Sequence, residues 1–263
     1  MSIVLKENEW AEDMIHSNSL GKKPSETLRR AARYYLDMNY RTRDVRNLLE
    51  TYILRCDPNI SLPKWAGTIN RAISKAERYK AIEIDYIEIT ESEIKTINSL
   101  KGRQLQRLAF TLLCLSKFWT MVEPSRDYWI INKDSEIMSM ANINTSIKRQ
   151  SEMYWELREL GLIRFSKKVD NTNVRVCFVS EGECVLKISD FRNLGYQYLK
   201  FCGEPYFECQ NCGLVVKMSN PTKGRKQKYC VSCASEVATK QRLGSYLNEH
   251  EIMYGCKNGR IMQ

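Results

Sequence analysis

Two pairs of cysteines near the C-terminus constrain the fold of this 263-residue chain more than any other feature of its sequence. They stand as Cys209-Gln-Asn-Cys212 and Cys230-Val-Ser-Cys233, in the pattern C-x2-C-x17-C-x2-C. Two residues between paired cysteines allow both thiolates to reach one tetrahedral ion, and Gly213 relieves crowding directly after the first pair. The pattern therefore predicts that Cys209, Cys212, Cys230 and Cys233 bind one zinc ion.

The other six of the ten cysteines are scattered, which argues against a disulfide framework of the kind found in short secreted chains. A redox dithiol would need one pair at a strand-to-helix junction of a parallel sheet, and the sequence does not predict one. An iron–sulfur cluster also takes four cysteines, but two close pairs around a basic segment favour zinc. Because four thiolates leave no coordination position for water, the expected role of the zinc is structural.

The chain is basic, with 41 lysines and arginines against 31 acidic residues and a formal net charge of +10. Such a charge favours a polyanionic partner, and nucleic acid is the first candidate. The first ten residues contain no apolar run of the signal-peptide type. The longest apolar stretch, around Leu108–Trp119, is interrupted by polar residues and is shorter than the roughly 20 residues of a membrane span. We therefore expect a cytoplasmic protein without a membrane partner.

The sequence contains no recognisable catalytic motif. Its two histidines, His16 and His250, lie near the ends, and the glycine motifs of phosphate-binding loops and nucleophile elbows do not occur. The acidic pair Asp134 and Glu136 could hold a magnesium ion, but a helix cap explains this pair more simply. These observations predict that the protein is not an enzyme.

The spacing of apolar residues predicts a mainly α fold with small β elements. A helix pair is expected in residues 25–57, broken at Asn39-Tyr40, and a third helix from Leu62 to about Tyr79. Arg29, Arg33, Arg43 and Arg46 are placed where a helix surface would carry them, which fits a solvated face better than a second nucleic-acid site. The predicted domains are an N-terminal helical module (1–80), an acidic connecting segment (81–99), a central domain (100–200) and a C-terminal zinc finger with a helix (201–263).

The central domain contains a regular order of elements. A long apolar helix from about Arg103 to Trp119 is followed by a short strand at Tyr128–Ile131, a helix, a turn at Asn142–Asn144 and a further helix. Asn144 or Thr145 is expected to cap this last helix. Its expected buried face consists of Ile147, Tyr154, Leu157 and Leu160. Residues 162–165 and 174–179 are expected to form a hairpin.

This order of elements resembles the winged helix-turn-helix family over roughly residues 100–179, and Trp155–Ile163 is the part most similar to that family's third helix and the start of its wing. The resemblance implies that the third helix lies in the major groove of DNA and that the hairpin contacts the DNA backbone. Carried onto this chain, it places against DNA the helix residues Thr145, Ser146, Lys148, Arg149 and Glu152, and the wing residues Arg164, Lys167, Lys168 and Arg175.

Three acidic residues on the same helix, Glu152, Glu156 and Glu159, would repel phosphates if they faced a duplex. A protein-interaction or dimerisation role of the winged domain is therefore the alternative.

The cysteine pairs resemble those of zinc-ribbon and treble-clef fingers. Residues 214–218 and 227–229 are expected to pair as a hairpin, and residues 235–247 to form a helix. The segment between the pairs is strongly basic and is the second candidate for phosphate contacts, through Lys223, Arg225, Lys226 and Lys228. A merely solvated loop would have the same composition.

Together these features predict a DNA-binding protein with a structural zinc site, either a transcriptional regulator or a replication accessory factor. The plan loosely resembles accessory and replication proteins encoded by phages and mobile elements of low-GC bacteria. Two alternatives stay open. One is an adaptor or inhibitor that binds another protein through the winged domain or the finger, and the other is an RNA-binding protein.

Overall fold

The computed structural model describes residues 3–166, 173–219, 227–239 and 242. The fold is mainly helical with small antiparallel sheets, as the sequence predicts. The helices are α1 (Glu7–His16), α2 (Pro24–Asp37), α3 (Thr42–Cys56), α4 (Leu62–Arg78), α5 (Glu91–Asn98), α6 (Arg103–Val122), α7 (Asp134–Met140), α8 (Ile147–Glu159), α9 (Leu194–Phe201) and α10 (residues 231–239). The strands are β1 (Ile87–Thr90), β2 (Trp129–Ile130), β3 (Ile163–Phe165), β4 (Val174–Val176), β5 (Cys184–Ile188), β6 (Tyr206–Glu208) and β7 (Val215–Lys217). Among these described helices, none combines the length and the apolarity that a membrane span requires.

The chain forms two compact units, each built from separate stretches of sequence. The first unit contains the described residues of Met1–Thr96, Leu113–Ile131 and Leu162–Phe191. The second contains those of Ile97–Leu112, Asn132–Gly161 and Arg192–Gln263. The division into four segments along the sequence stays a prediction.

Helices α1 to α4 pack around one apolar core in the first unit. The predicted helix pair and third helix are confirmed as α2, α3 and α4, and Pro63 lies in the first turn of α4, where its missing N–H group is not needed. Asn39 takes a φ of 65° at the predicted break, a conformation that asparagine tolerates. Helix α1 was not predicted, and its Ile15 joins Leu28 and Tyr52 in the core.

A buried ion pair connects α1 to α2. Glu7 accepts hydrogen bonds from Arg29 Nη2 at 2.7 Å and from Arg30 Nε at 2.8 Å, and the Glu7 and Arg30 side chains are each 3% exposed. Arg33 forms an ion pair with Asp37. The arginines of α2 therefore act within the bundle, and the expectation that Arg29 and Arg33 lie open on a helix surface is wrong.

Two small antiparallel sheets complete the first unit. In one, β1 pairs with β5 and places Ile87 opposite Ile188. In the other, the strand order is β2-β4-β3, so the short strand before α7 pairs with the last strand of the predicted hairpin. On one side of this sheet Arg175 lies between Trp129 and Arg164 in register.

A short turn joins α7 to α8 in the second unit. Ser146 caps α8, since its Oγ accepts a hydrogen bond from the Arg149 N–H at 3.3 Å. The prediction that Asn144 or Thr145 caps this helix is therefore wrong. Tyr154 and Leu157 are buried as predicted, together with Met153. Ile147 and Leu160, also predicted to be buried, are 81% and 56% exposed, because only the middle turns of α8 pack against the core.

Candidate metal centre and surface of helix α8

The first cysteine pair lies in a tight turn between β6 and β7. The Cys209 N–H donates to the Leu214 carbonyl at 3.0 Å, and the Gly213 N–H donates to the Cys209 carbonyl at 2.9 Å. Gly213 has a φ of 70°, which glycine adopts without strain. The predicted pairing of β7 with residues 227–229 is wrong. Strand β7 pairs with β6 instead, which lies just before the turn and therefore closes a much shorter loop.

The second cysteine pair lies at the start of α10. Cys230 immediately precedes the helix and Cys233 is in its first turn, where the Ala234 N–H donates to the Cys230 carbonyl at 2.9 Å. The Cys230 N–H donates to Cys209 Sγ at 3.3 Å, which ties the two pairs together. The partial positive charge at the N-terminal end of a helix stabilises thiolates. For Cys233 the hydrogen bond with Asn211 also lowers the pKa, but the hydrogen bonds with the other cysteines and burial outweigh it and raise the pKa to about 12.

The four predicted cysteines form one compact sulfur cluster. Their Sγ atoms all lie within 4.8 Å of one another, and those of Cys212 and Cys230 are 3.9 Å apart. A tetrahedral ion with metal–sulfur bonds of about 2.3 Å requires sulfur–sulfur separations of about 3.8 Å. Cys209, Cys230 and Cys233 are buried, and Cys212 is half-buried. The cluster can therefore hold one metal ion with four protein ligands.

The surroundings of Cys209 favour its ionised form. Burial by itself would raise the pKa of this thiol, but hydrogen bonds from the backbone N–H groups of Cys230, Cys212 and Asn211 outweigh burial and lower the pKa to about 6. A thiolate is the form that binds a metal, so the backbone prepares at least one ligand for coordination.

The finger around the cluster, defined here as β6, β7 and residues 209–214 and 227–239, has a small apolar core. The sulfur cluster buries Cys209, Cys230 and Cys233, with Val216 and Tyr229 packed against it. Phe207 and Val215 are also buried, on strands that contact α9. So few buried apolar side chains offset only part of the entropy lost when the finger becomes ordered, and metal–sulfur bonds would add to its stability, above all in the turn that holds the cysteines.

The N-terminal half of α8 projects from the protein. From Thr145 to Glu152 every residue is exposed or half-buried, whereas Met153 is the first buried residue of the helix. Lys148 is exposed, and within the described part of the chain its ammonium group has no ion-pair partner. The predicted contact residues of this helix therefore share one open surface.

Not all charges of α8 are equally available. Arg149 Nη1 lies 3.1 Å from Glu152 Oε2, so each of these side chains offsets the charge of the other. The Arg158 guanidinium lies over the ring of Trp155, with its carbon 4.4 Å from the ring centroid. Trp155 is nevertheless 52% exposed.

The two described arginines of the predicted wing also differ in whether their charge is free. Arg164 is exposed on β3, and in the described residues it has no ion-pair partner. Arg175, opposite Arg164, donates to Asp127 Oδ2 at 2.6 Å and to the Asp127 carbonyl at 3.0 Å. The hydrogen bond and charge of Asp127 raise the pKa of Arg175, and they occupy its guanidinium group. Arg164 is therefore the freer of the two arginines.

Several predicted contact residues lie outside the described residues, namely Lys167, Lys168, Lys223, Arg225 and Lys226. Of the basic segment between the cysteine pairs, Lys228 is described. It is exposed, and its backbone carbonyl accepts a hydrogen bond from the Gln210 N–H at 2.9 Å, beside the sulfur cluster.

Two residues beside the metal centre were not singled out by the sequence analysis. Arg192 Nη2 donates to the Cys212 carbonyl at 2.8 Å, and Asn193 Nδ2 donates to the Val215 carbonyl at 3.0 Å. Both precede α9, about 20 residues from their partners, in a stretch without a motif. No local signal in the sequence could have identified them.

In comparisons with known proteins, no family model matches the chain, and neither a curated protein nor a solved structure matches it.

Proposed function

We propose that the protein binds double-stranded DNA through the exposed N-terminal half of α8 and carries one structural zinc ion in its four-cysteine cluster. The observation that carries this proposal is the projection of α8. The first six residues of α8, Ile147 to Glu152, lie outside the core, together with Thr145 and Ser146 directly before them. The major groove of B-DNA is about 12 Å wide and admits one such helix.

The strand order and charge are compatible with this role. The chain runs helix, strand, two helices and two strands from α6 to β4, and the first strand pairs with the last. This is the order expected for the winged helix-turn-helix resemblance. The formal net charge of +10 would attract a duplex, and the free cation Lys148 on α8 would contact a phosphate.

Zinc is the metal that best fits the donor set. Four thiolates in a tetrahedral arrangement suit zinc, and they fill its coordination shell. Zinc would supply no chemistry to a substrate here and would only hold the finger folded. The cysteine turn between paired strands, followed by a ligand pair at a helix start, favours the treble-clef type of finger over the zinc ribbon.

The DNA proposal is tested by charge reversal on α8. Fluorescence anisotropy with a pool of random duplexes would measure affinity for wild type and for a variant with Lys148→Glu and Arg149→Glu at several salt concentrations. Loss of the Lys148 contact is expected to reduce the salt slope by about 0.9, and the reduction rises to about 2 if Arg149 leaves Glu152 to contact a second phosphate. A variant with Lys64→Glu and Lys75→Glu, two exposed residues of α4, has the same net charge and serves as the control. Equal affinity and slope in the α8 variant and the wild type would refute the proposal.

One observation favours a second function, the binding of another protein. Ile147 is 81% exposed and Trp155 is 52% exposed, so α8 leaves two large apolar side chains open to solvent. On DNA, an isoleucine at this position would contact thymine methyl groups. Replacing thymidine by deoxyuridine removes only those methyl groups, so weaker binding to deoxyuridine duplexes supports DNA contact by Ile147. Unchanged binding would favour a protein partner that covers the exposed side chains of Ile147 and Trp155.

RNA binding by the finger stays a third proposal, since Lys228 is exposed beside the metal centre. Competition at equal salt distinguishes it. Single-stranded RNA would displace a labelled duplex more effectively than unlabelled duplex does if RNA is the preferred ligand.

A further inference from the structure

Two left-handed asparagines connect the turn after α7 with the start of α9. Asn142 has a φ of 55° and Asn193 a φ of 52°, and Asn142 Nδ2 donates to Asn193 Oδ1 at 2.9 Å. The other end of the Asn142 amide accepts a hydrogen bond from the Tyr196 N–H of α9 at 3.1 Å. Both side chains are half-buried, so these hydrogen bonds are partly shielded from water.

The same stretch of chain contacts the metal finger. Asn193 Nδ2 donates to the Val215 carbonyl of β7, and Arg192 donates to the carbonyl of Cys212, one of the four sulfur ligands. Arg107 of α6 donates to the Asn142 carbonyl at 2.9 Å from the opposite side. A continuous series of hydrogen bonds therefore runs from the cysteine turn, through Asn193, to the turn that precedes α8.

The backbones of α9 and of the residue after α7 are also in direct contact. A Cβ atom on Gly195 would lie 2.0 Å from the Ala141 carbonyl oxygen, so the first turn of α9 rests directly on the end of α7. Because both sides of this contact are backbone, no flexible side chain can adjust when α9 moves. A movement of α9 therefore also moves Ala141 and Asn142, a few residues before the cap of α8 at Ser146.

We propose that Asn193 and Asn142 are positioning residues through which the metal-bound finger orients the α7–α8 turn, so that metal occupancy governs the nucleic-acid surface of α8. When the metal leaves, the cysteine turn loses the sulfur–metal bonds that close it, so the Cys212 carbonyl in that turn, and the Val215 carbonyl directly after it, are held less firmly. The hydrogen bonds from Arg192 to Cys212 and from Asn193 to Val215 then weaken, and the α7–α8 turn loses part of its support. The link to nucleic acid rests on the proposed function, whereas the link from metal to turn does not.

Hydrogen exchange measured by mass spectrometry on the full chain tests the positioning role. Peptides covering residues 138–147 would be compared with one zinc ion bound and after chelation. In the wild type, metal removal is expected to accelerate exchange in these peptides about fivefold to tenfold, a coupling typical of linked sites. Peptides from α3 are expected to exchange at the same rate in both states.

Asn193→Gly is the decisive variant. Glycine accepts the same left-handed backbone, so the substitution removes the side-chain hydrogen bonds without adding strain. A merely structural residue would accelerate exchange equally with and without zinc. A positioning residue would instead reduce the ratio of the two rates at 138–147 to about one, while zinc stoichiometry stays unchanged. Asn39→Gly, a left-handed position at the end of α2, is the matched control and should keep the wild-type ratio.

A metal-independent exchange rate at 138–147 in the wild type, or an unchanged ratio in Asn193→Gly, would overturn the inference. If Asn193→Gly does not fold, Asn193→Asp replaces it, because aspartate keeps the shape and loses the donor to Val215. Duplex affinity measured on the same samples separates the two proposals. If exchange at 138–147 depends on metal but the protein has no duplex affinity, the positioning role is supported and the DNA function is refuted. If exchange does not depend on metal but duplex affinity is strong, the DNA function is supported and the positioning role is refuted.

Discussion

Gly195→Ala provides the sharpest test of how α9 is packed in this structure. Alanine is ordinarily a better helix former than glycine by about 0.8–1.0 kcal/mol, so the substitution would stabilise most helices. At this position the new Cβ would lie 2.0 Å from the Ala141 carbonyl oxygen and 2.6 Å from its carbon. Ordinary contacts of a Cβ atom begin near 3.4 Å, so the two backbones would have to separate by about 1.4 Å.

The expected sign is therefore opposite to that given by helix propensity. Overpacking of a filled site costs about 1–3 kcal/mol, and the upper end applies here because neither partner is a side chain that can rotate away. After the gain in helix propensity, we expect a net loss of about 2 kcal/mol in the stability of α9. The Asn142 hydrogen bonds to Asn193 and Tyr196 should weaken with it.

Native-state hydrogen exchange is the appropriate assay, since the chain has two compact units and a single unfolding midpoint would mix them. Amides of α9 should exchange about 30-fold faster in Gly195→Ala than in the wild type, the equivalent of about 2 kcal/mol. Gly67→Ala in α4 is the matched control, because nothing lies within 4 Å of its Cβ position. That variant should slow exchange in α4. Wild-type protection of α9 in Gly195→Ala would refute the packing described here.

Three further predictions concern the other parts of the chain. Glu7→Gln should destabilise the N-terminal bundle by about 3 kcal/mol at neutral pH, as breaking a buried ion pair does. Burial by itself would raise the pKa of Glu7, but Arg29 and Arg30 hold it below its ordinary value. This stabilisation is therefore complete above pH 4.5 and is lost as the pH falls through the lower folded-state pKa, so hydrogen exchange of α2 in variant and wild type should converge in acid. Cys230→Ser should abolish stoichiometric zinc binding, measured by metal analysis after dialysis, and expose the finger to proteolysis; retained zinc would mean that the ligand set is wrong. Ser146→Ala should destabilise the first turn of α8 by about 1 kcal/mol, seen as faster exchange there, whereas unchanged exchange would contradict its role as the cap.

The spacing of residues within about twenty positions determined much of this protein. Helical periodicity identified α2, α3, α4 and α8, because apolar residues recur every three or four positions on one face of a helix, whatever that face packs against. The C-x2-C pairs identified the sulfur cluster for a similar reason, since each pair reaches its ion from a single turn. The mainly α fold with small sheets also followed from these local patterns.

Only the tertiary structure decided which surfaces are open and which charges are free. The exposure of Ile147 could not be predicted from periodicity. Periodicity indicates which residues share one face of a helix, but not how far along the helix that face is covered by the core. Arg29 and Arg175 look like surface cations in the sequence and are bound to Glu7 and Asp127, which are 22 and 48 residues away. The contact of Asn142 with Asn193 spans 51 residues. Such partners are selected by the folded backbone, so their identity is a property of the structure and not of any local stretch of sequence.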